Sequence, residues 1–203
     1  MLSSLVTLAQ SLGLAYLSGI SLYATVALLG VATRFGWVGQ LPGALEGFTN
    51  PLVIGVAALL AVIEFLATLV PGIATLWETA HTFIRPPAAA FLAVATAWHM
   101  DPSYILAAGL LGGGLGLATH ATKLGLRVAV DTSPEPFSNG IVNTAELGVI
   151  ATISFMIWNH PVIALALSLV LLLLTVLLVR AVWKTLRNIL RGNWRGTTRA
   201  AGP

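Results

Sequence analysis

Six long apolar runs dominate this sequence and constrain its fold more than any other feature. A helix needs about 20 consecutive apolar residues to cross a bilayer, and the runs approach or exceed that length. The connections between them are too short to form a separate soluble domain. The runs cover residues 3–33, 51–70, 86–100, 103–130, 141–158 and 161–183. The sequence therefore predicts an all-α polytopic membrane bundle of about six transmembrane helices, forming one transmembrane domain over residues 1–184.

The composition supports this interpretation and excludes several kinds of active site. Hydrophobic residues make up 57% of the chain and charged residues only 8%, whereas about a quarter of the residues in a soluble domain are charged. The chain has no cysteine, which excludes thiol catalysis and Cys-ligated metal sites. The HExxH, Walker A and GxSxG motifs are also missing. We expect no cofactor and no metal, and an enzyme is the less favoured class.

Glycine interrupts the two longest runs. Gly19 lies within the first run and Gly112 to Gly114 lie within the fourth, so both helices are predicted to be broken near the middle of the membrane. A weak repeat relates residues 1–100 to residues 103–184. In each unit a long, glycine-interrupted helix leads to a loop that ends in Phe48-Thr49-Asn50 or Phe137-Ser138-Asn139. Three spans per unit make this a 3+3 inverted repeat, an architecture of secondary transporters; chance recurrence is the alternative.

The positive charge is concentrated at the C-terminus. Of the ten Lys and Arg residues, six fall in the last 24 residues. Residues 185–203 are predicted to form a basic amphipathic tail that lies on anionic lipid and does not bind nucleic acid. The positive-inside rule places this tail in the cytoplasm, and six crossings then place both termini there.

Ionisable residues inside the bilayer are costly and mark functional positions. His120, Lys123 and Arg127 follow i, i+3, i+7 spacing and therefore share one helix face. Glu64 and Glu146 are predicted to lie about 9 Å from the cytoplasmic face, close to the depth of Lys123. These side chains would form an ion network around a cavity, or alternatively an ionic contact that only holds the helices together.

The segment between Pro71-Gly72 and Pro86-Pro87 is predicted to form a short amphipathic helix. Glu78, His81 and Arg85 repeat the i, i+3, i+7 spacing on its polar face. If the segment is re-entrant, His81 and Arg85 approach Lys123 and Arg127 and form a basic pocket for a phosphate or carboxylate. If it is interfacial, Arg85 contacts lipid headgroups.

A polar turn precedes the fifth predicted helix. It begins at Asp131 and continues to Gly140, with Ser138 or Asn139 as the expected N-cap. If the helix end is uncapped, its free N–H groups and Asn139 would instead contact an anion. Asp131 is expected to balance nearby positive charge.

Three segments of the sequence resemble a known family. They are Ser18-Gly19-Ile20-Ser21-Leu22-Tyr23-Ala24-Thr25-Val26, His81-Thr82-Phe83-Ile84-Arg85-Pro86-Pro87-Ala88 and Asp131-Thr132-Ser133-Pro134-Glu135-Pro136-Phe137-Ser138-Asn139. They are similar to a bacterial membrane-protein family called domain of unknown function 4126, over residues 15 to 150. The resemblance implies a polytopic protein of the bacterial inner membrane and carries no activity with it. Residues 67–70 and 73–75 lack charges that the family usually has there, which predicts a less polar inner vestibule.

Together these features favour a small transporter, or lipid-headgroup translocator, for an anionic species. Arg85, Lys123 and Arg127 would contact the anion, together with His81 and Asn139. Glu64, Glu146, His120 and Asp131 would balance charge or carry a coupled proton. Two alternatives remain: an enzyme acting on a lipid or isoprenoid phosphate with His81 or His120 as general base, and a non-catalytic scaffold. The expected partners are membrane lipids and an anionic small molecule, and the sequence leaves a homo-oligomer open.

Overall fold

The computed structural model describes residues 2–131 and 136–190, and all regular structure in these ranges is helical. Seven α-helices and one 3-10 helix follow one another with short connections. They are α1 (Leu2–Arg34), the 3-10 helix Gly43–Thr49, α2 (Pro51–Ala67), α3 (Ile73–His81), α4 (Arg85–Thr96), α5 (Pro102–Val130), α6 (Pro136–Asn159) and α7 (Pro161–Leu190). The prediction of an all-α protein is confirmed.

Four helices are long and apolar enough to cross a membrane by themselves: α1, α5, α6 and α7. A fifth crossing is counted if the 3-10 helix and α2, which meet at 74°, are taken together. Many large apolar side chains of these helices are exposed, including Leu110 at 70% and Leu173 at 57%. Such a surface suits lipid. The exact count of six is not confirmed in the described ranges, since α4 contains only 12 residues and is not counted as a span.

Helix α1 reverses its direction at Ser21, where the backbone leaves helical geometry (φ −151°, ψ 111°). A straight helix would place residues 3 and 30 about 40 Å apart. Instead, Ser3 lines the same cavity as Pro42. Phe48 lies six residues after Pro42, and a β-carbon added at Gly30 would lie only 2.3 Å from its carbonyl oxygen. Residues 2–20 therefore enter the bundle, and residues 22–34 return to the end from which the chain entered.

Helices α3 and α4 together run antiparallel to α5 along its whole length. Thr75 of α3 contacts Asp131, just after α5, whereas Val94 of α4 packs beside Gly109. Between the two helices, residues 82–84 form a turn, and Thr82 lies beside His120. The pair is a second interrupted element, broken at the same level as α1.

Helix α5 is continuous, so the prediction that glycine breaks it is wrong. Its glycines instead allow α4 to approach closely. A β-carbon at Gly116 would lie 2.2 Å from Cβ of Ala89, and one at Gly112 would lie 2.4 Å from Cβ of Ala93. Small residues at such contacts are typical of helix packing in membranes. Because α1 is broken and α5 is not, the inverted repeat remains a prediction.

The first and the last residues that the structure describes, Leu2 and Leu190, lie at opposite ends of the bundle. Residues near the start of α1 share a cavity with Asp101 and Pro102 at the start of α5. Helix α7 passes Gly125 at Val179 and continues beyond it, in the direction of the C-terminal end of α5. This geometry differs from the predicted arrangement with both termini on one face, since α1 turns back. Of the predicted tail, residues 185–190 continue α7, and residues 191–203 lie outside the described ranges.

Candidate functional site

The break in α1 brings two helix ends of opposite polarity to one point. Ser21 caps residues 22–34, because its Oγ accepts a hydrogen bond from the backbone N–H of Ala24 at 3.2 Å. The same hydroxyl donates to Glu64 Oε2 at 2.7 Å. On the other side of the break, the carbonyl of Ile20 accepts a hydrogen bond from Lys123 Nζ at 2.6 Å. A carboxylate thus faces a helix N-terminus and an ammonium faces a helix C-terminus, the favourable pairing in both cases.

Lys123 is the centre of the ion network. Its Nζ lies 3.1 Å from Glu64 Oε1, 2.9 Å from Glu78 Oε1 and 3.1 Å from Glu146 Oε2. These glutamates come from α2, α3 and α6, so one ammonium group on α5 joins four helices.

Two arginines extend the network in opposite directions. Arg85, the first residue of α4, binds Glu64 through Nη2 at 2.6 Å and also pairs with Glu78 through Nη1. Arg127, one turn beyond Lys123, binds Glu146 through Nη2 at 2.9 Å. Arg127 also donates to the side-chain oxygens of Asn139 and Asn143.

The network is balanced in charge and closely enclosed. Three carboxylates, those of Glu64, Glu78 and Glu146, face three cations, those of Arg85, Lys123 and Arg127. Glu146 is the most accessible of the six, with a side chain that is 17% exposed; the other five side chains are at most 6% exposed. Burying charge is costly unless every ion is paired, and here each ion has at least one partner of opposite sign.

The two histidines have different surroundings. His120 belongs to the network: its Nε2 is 2.9 Å from Thr82 Oγ1, and its Nδ1 is 3.3 Å from Arg85 Nη1. Because a guanidinium group can only donate, the Nδ1 of His120 accepts this bond. His81 lies apart, with Nδ1 2.7 Å from the Trp77 carbonyl and Nε2 3.2 Å from the Tyr23 hydroxyl.

Asp131 ties the start of α3 to the end of α5. Its Oδ2 accepts hydrogen bonds from the N–H of Gly72 at 3.0 Å and from the N–H and hydroxyl of Thr75 at 3.2 and 2.5 Å. Its Oδ1 accepts a bond from Asn139 Nδ2 at 3.1 Å. Partial burial raises the pKa of Asp131, but these hydrogen bonds lower it by more, so the net pKa lies below the ordinary value.

The structure brings most of the predicted site residues together. Glu64, Arg85, His120, Lys123, Arg127 and Glu146 form one network, and Asn139 joins Arg127 to Asp131. His81 contacts Tyr23 and Trp77, and neither contact joins it to a cation of the network. Ser138 and Asn139 are not N-caps, because α6 already begins at Pro136.

Three contributors were not predicted to belong to the network: Glu78, Ser21 and Asn143. Glu78 was placed on the polar face of the short helix with Arg85, but its contact with Lys123 was not predicted. Ser21 stands two residues after Gly19, where an interrupted helix was predicted. Asn143 accepts bonds from Arg127 and Thr68 and donates to the carbonyl of Phe65. It lies one turn from Glu146, and only the fold reveals its partners.

A crevice of about 280 Å³ reaches the network from one side. It lies between α1, α5, α6 and α7 and is lined mainly by leucine, isoleucine and valine, with Lys123 and Glu146 among its lining residues. Within the described ranges, no group of three His, Asp or Glu side chains is arranged to hold a metal ion.

Comparison with known proteins identifies the family. The model of the family described as Domain of unknown function (DUF4126) matches residues 8–181, most of the chain. The chain therefore belongs to this family. No curated protein and no solved structure matches it.

Proposed function

We propose that this member of the DUF4126 family is a proton-coupled membrane transporter for an anionic species that carries a phosphate or carboxylate. Its place would be the bacterial inner membrane, with the end of the bundle that contains Asp131 on the cytoplasmic side. The observation that supports this function best is the balanced ion network located where two helices are interrupted.

Interrupted helices supply backbone groups for binding charged solutes in many secondary transporters. In this chain the Ile20 carbonyl and the Ser21 cap already hold Lys123 and Glu64. The break at residues 82–84 lies at the same level, with Arg85 immediately after it. A change at either break would therefore alter the contacts of a charged side chain directly.

The charge balance is the reason for proposing a coupled proton. With three carboxylates against three cations, an entering anion would leave an uncompensated negative charge in a medium of low dielectric constant. If one glutamate takes up a proton, the network gains one net positive charge and can accept one anionic group. Anion and proton would then move in the same direction.

Glu146 is the glutamate that can be neutralised with the smallest loss of pairing. When it is protonated, Lys123 still contacts Glu64 and Glu78, and Arg127 keeps the oxygens of its two asparagine partners. Glu64 has three partners, Ser21, Arg85 and Lys123, so its neutralisation disturbs more contacts. Glu146 is also the most exposed member.

The test is transport by purified protein in sealed liposomes that contain a pH-sensitive dye. Radiolabelled phosphate, succinate and dodecanesulfonate are offered outside, with and without an inward proton gradient. We expect at least one anion to enter faster than into protein-free liposomes, together with acidification of the interior. In Glu146→Gln, anion entry should no longer depend on the proton gradient.

Glu46→Gln is the matched control, because Glu46 is an exposed carboxylate in the 3-10 helix outside the network. It should transport like the wild type. The proposal is wrong if the folded wild type moves none of these anions and no protons. It is equally wrong if Lys123→Ala and Glu64→Gln leave transport unchanged.

A scaffold function is the second candidate, and the complete pairing of the six charges favours it. On this hypothesis the network only joins helices, and charge variants lose stability or recovery of a partner while no solute moves. The contacts of the histidines give less support to an enzyme, since both ring nitrogens of His81 and of His120 lie within hydrogen-bonding distance of protein atoms.

A further inference from the structure

We infer that the transported species is an amphiphile, with one anionic head bound at Lys123 and Arg127 and an alkyl chain lying in the crevice between α1, α5, α6 and α7. This inference rests on the proposed function and specifies its substrate class. It depends on the shape of the crevice, its lining, and the position of its polar groups.

The crevice has the volume and lining expected of a chain-binding site. Its 280 Å³ approaches the roughly 300 Å³ at which small-molecule pockets begin. Nearly all of its lining surface is apolar, and α7 contributes only Leu171, Leu172, Thr175 and Leu178 to it. An apolar lining of this kind suits an alkyl chain and not a polar one.

The polar groups of the crevice belong to the ion network. Lys123 and Glu146 both line it, and they pair with each other at 3.1 Å. Arg127 lies behind them, bound to the same oxygen of Glu146. A ligand with its chain among the leucines would therefore place its head beside the pair of cations that Glu146 now neutralises.

The crevice opens toward the lipid-facing surface of the bundle. Ile141 and Leu178 line it and are 56% and 52% exposed. These residues belong to α6 and α7, whose outer faces are apolar over much of their length. An amphiphile dissolved in the bilayer could reach the crevice sideways, without passing its chain through water.

The charges around Glu146 favour an anionic head over a cationic one. Lys123 and Arg127 of α5 contact it, Tyr16 of α1 shares the crevice, and Glu64 of α2 lies across a cavity of about 20 Å³. A cationic ligand would require one of the two cations to lose its proton or its place. Lys123 is held by three carboxylates and a carbonyl oxygen, so an anion that arrives with a proton on Glu146 disturbs the network less.

The test is equilibrium binding to the full chain in lipid nanodiscs. The probe is dodecanesulfonate, whose head keeps a single negative charge over the working pH range. Dodecyl glucoside supplies the same chain with a neutral head, and methanesulfonate supplies the head without the chain. We expect dodecanesulfonate to bind at least about tenfold more tightly than either analogue, a difference of about 1.4 kcal/mol.

Two variants of α7 test where the alkyl chain of the ligand lies. Thr175→Trp places a large side chain in the crevice and should weaken binding about tenfold or more. Its neighbour Leu174 is 56% exposed and does not line the crevice, so Leu174→Trp should change the affinity by less than about twofold. Glu146→Gln should bind dodecanesulfonate at least as tightly as the wild type, because Lys123 and Arg127 are then no longer neutralised by Glu146.

Equal affinity for the sulfonate and the glucoside would mean that the crevice holds lipid without selecting charge, and it would overturn the inference. Equal binding by the two tryptophan variants would do the same. If the inference fails while phosphate or succinate still enters liposomes with protons, the proposed function stands with a different cargo. If dodecanesulfonate binds as expected but no anion is transported, the site is correct and the transport function is not.

Discussion

The two halves of α5 hold their neighbours by different means. In the first half, Gly112 and Gly116 bring the backbone into contact with Ala93 and Ala89 of α4. In the second half, Lys123 and Arg127 bind glutamates and asparagines of three other helices. One contact depends on the lack of a side chain, and the other depends on long side chains with full charges.

This difference separates a rigid part of the helix from a part that can rearrange. A glycine–alanine contact has one geometry, because neither residue has a rotatable side chain. A carboxylate can exchange one cation for another, or take up a proton, without moving the helix that carries it. If the proposed function is correct, the charged half is where the solute is exchanged, and the glycine half stays fixed while that happens.

Removal of Lys123, the central cation, is the most severe test of the difference between the two halves of α5. Lys123→Met leaves three buried glutamates with only the two arginines to balance them, and this should lower the free energy of unfolding by about 3–5 kcal/mol. Lys184→Met, at an exposed position in α7, should have little effect. SDS titration of the purified proteins in mixed micelles measures both. A cost below that of the glycine substitution described next would contradict the central role of Lys123.

The glycine half can be tested with two neighbouring substitutions. Gly116→Ala would place its β-carbon 2.2 Å from Ala89, so α4 must shift, at a cost of about 1–3 kcal/mol. Gly114 has nothing within 4 Å of a β-carbon, so Gly114→Ala should leave stability equal or raise it by up to about 1 kcal/mol. Thermal unfolding in detergent distinguishes them. Equal effects of the two substitutions would show that the α4–α5 contact is not tight.

A smaller effect is expected where the charged half is adaptable. Glu146→Gln removes one charge, but Lys123 and Arg127 both keep other partners, so the cost should be about 1 kcal/mol. Glu64→Gln, which affects Ser21, Arg85 and Lys123 together, should cost more in the same SDS titration. The reverse order would remove the reason for assigning the coupled proton to Glu146.

The smallest effect concerns the link between Asp131 and α3. Asp131→Asn weakens the capping of Gly72 and Thr75 and should cost about 0.5–1 kcal/mol. Because the folded-state pKa of Asp131 is lowered, its contribution is fully present above the unfolded value near 4 and is lost as the pH falls below it. Unfolding at a series of pH values should show this loss in the wild type and a flatter profile in the variant.

Spacing along the sequence predicted two parts of the site: the residues that share one face of α5, and the residues that lie at the same depth in the membrane as Lys123. His120, Lys123 and Arg127 share a face because of their i, i+3, i+7 spacing. Counting residues from helix ends placed Glu64 and Glu146 at the level of Lys123, and the structure has both in contact with its Nζ.

The reversal of α1 could not be predicted in this way. Hydropathy measures the length of a run and not its direction, so the predominantly apolar run over residues 3–33 suits a crossing as well as a hairpin. The only local signal was the sequence around Gly19, and the break falls at Ser21, whose hydroxyl is bound to Glu64 on another helix. The glycines of α5 led to the opposite error. They were predicted to break the helix, but they allow the preceding helix α4 to approach closely, and no pattern within α5 itself reveals that contact.

The reversal of α1 also affects the order in which the protein can assemble during synthesis. The carbonyl of Ile20 is bound by Lys123, which lies 103 residues later in the chain. When the first hairpin leaves the ribosome, the partner of this carbonyl and the carboxylate for Ser21 have not yet been made. The N-terminal hairpin therefore reaches its final place only after α2 and then α5 have followed it into the membrane, and α5 supplies the last contact at the break.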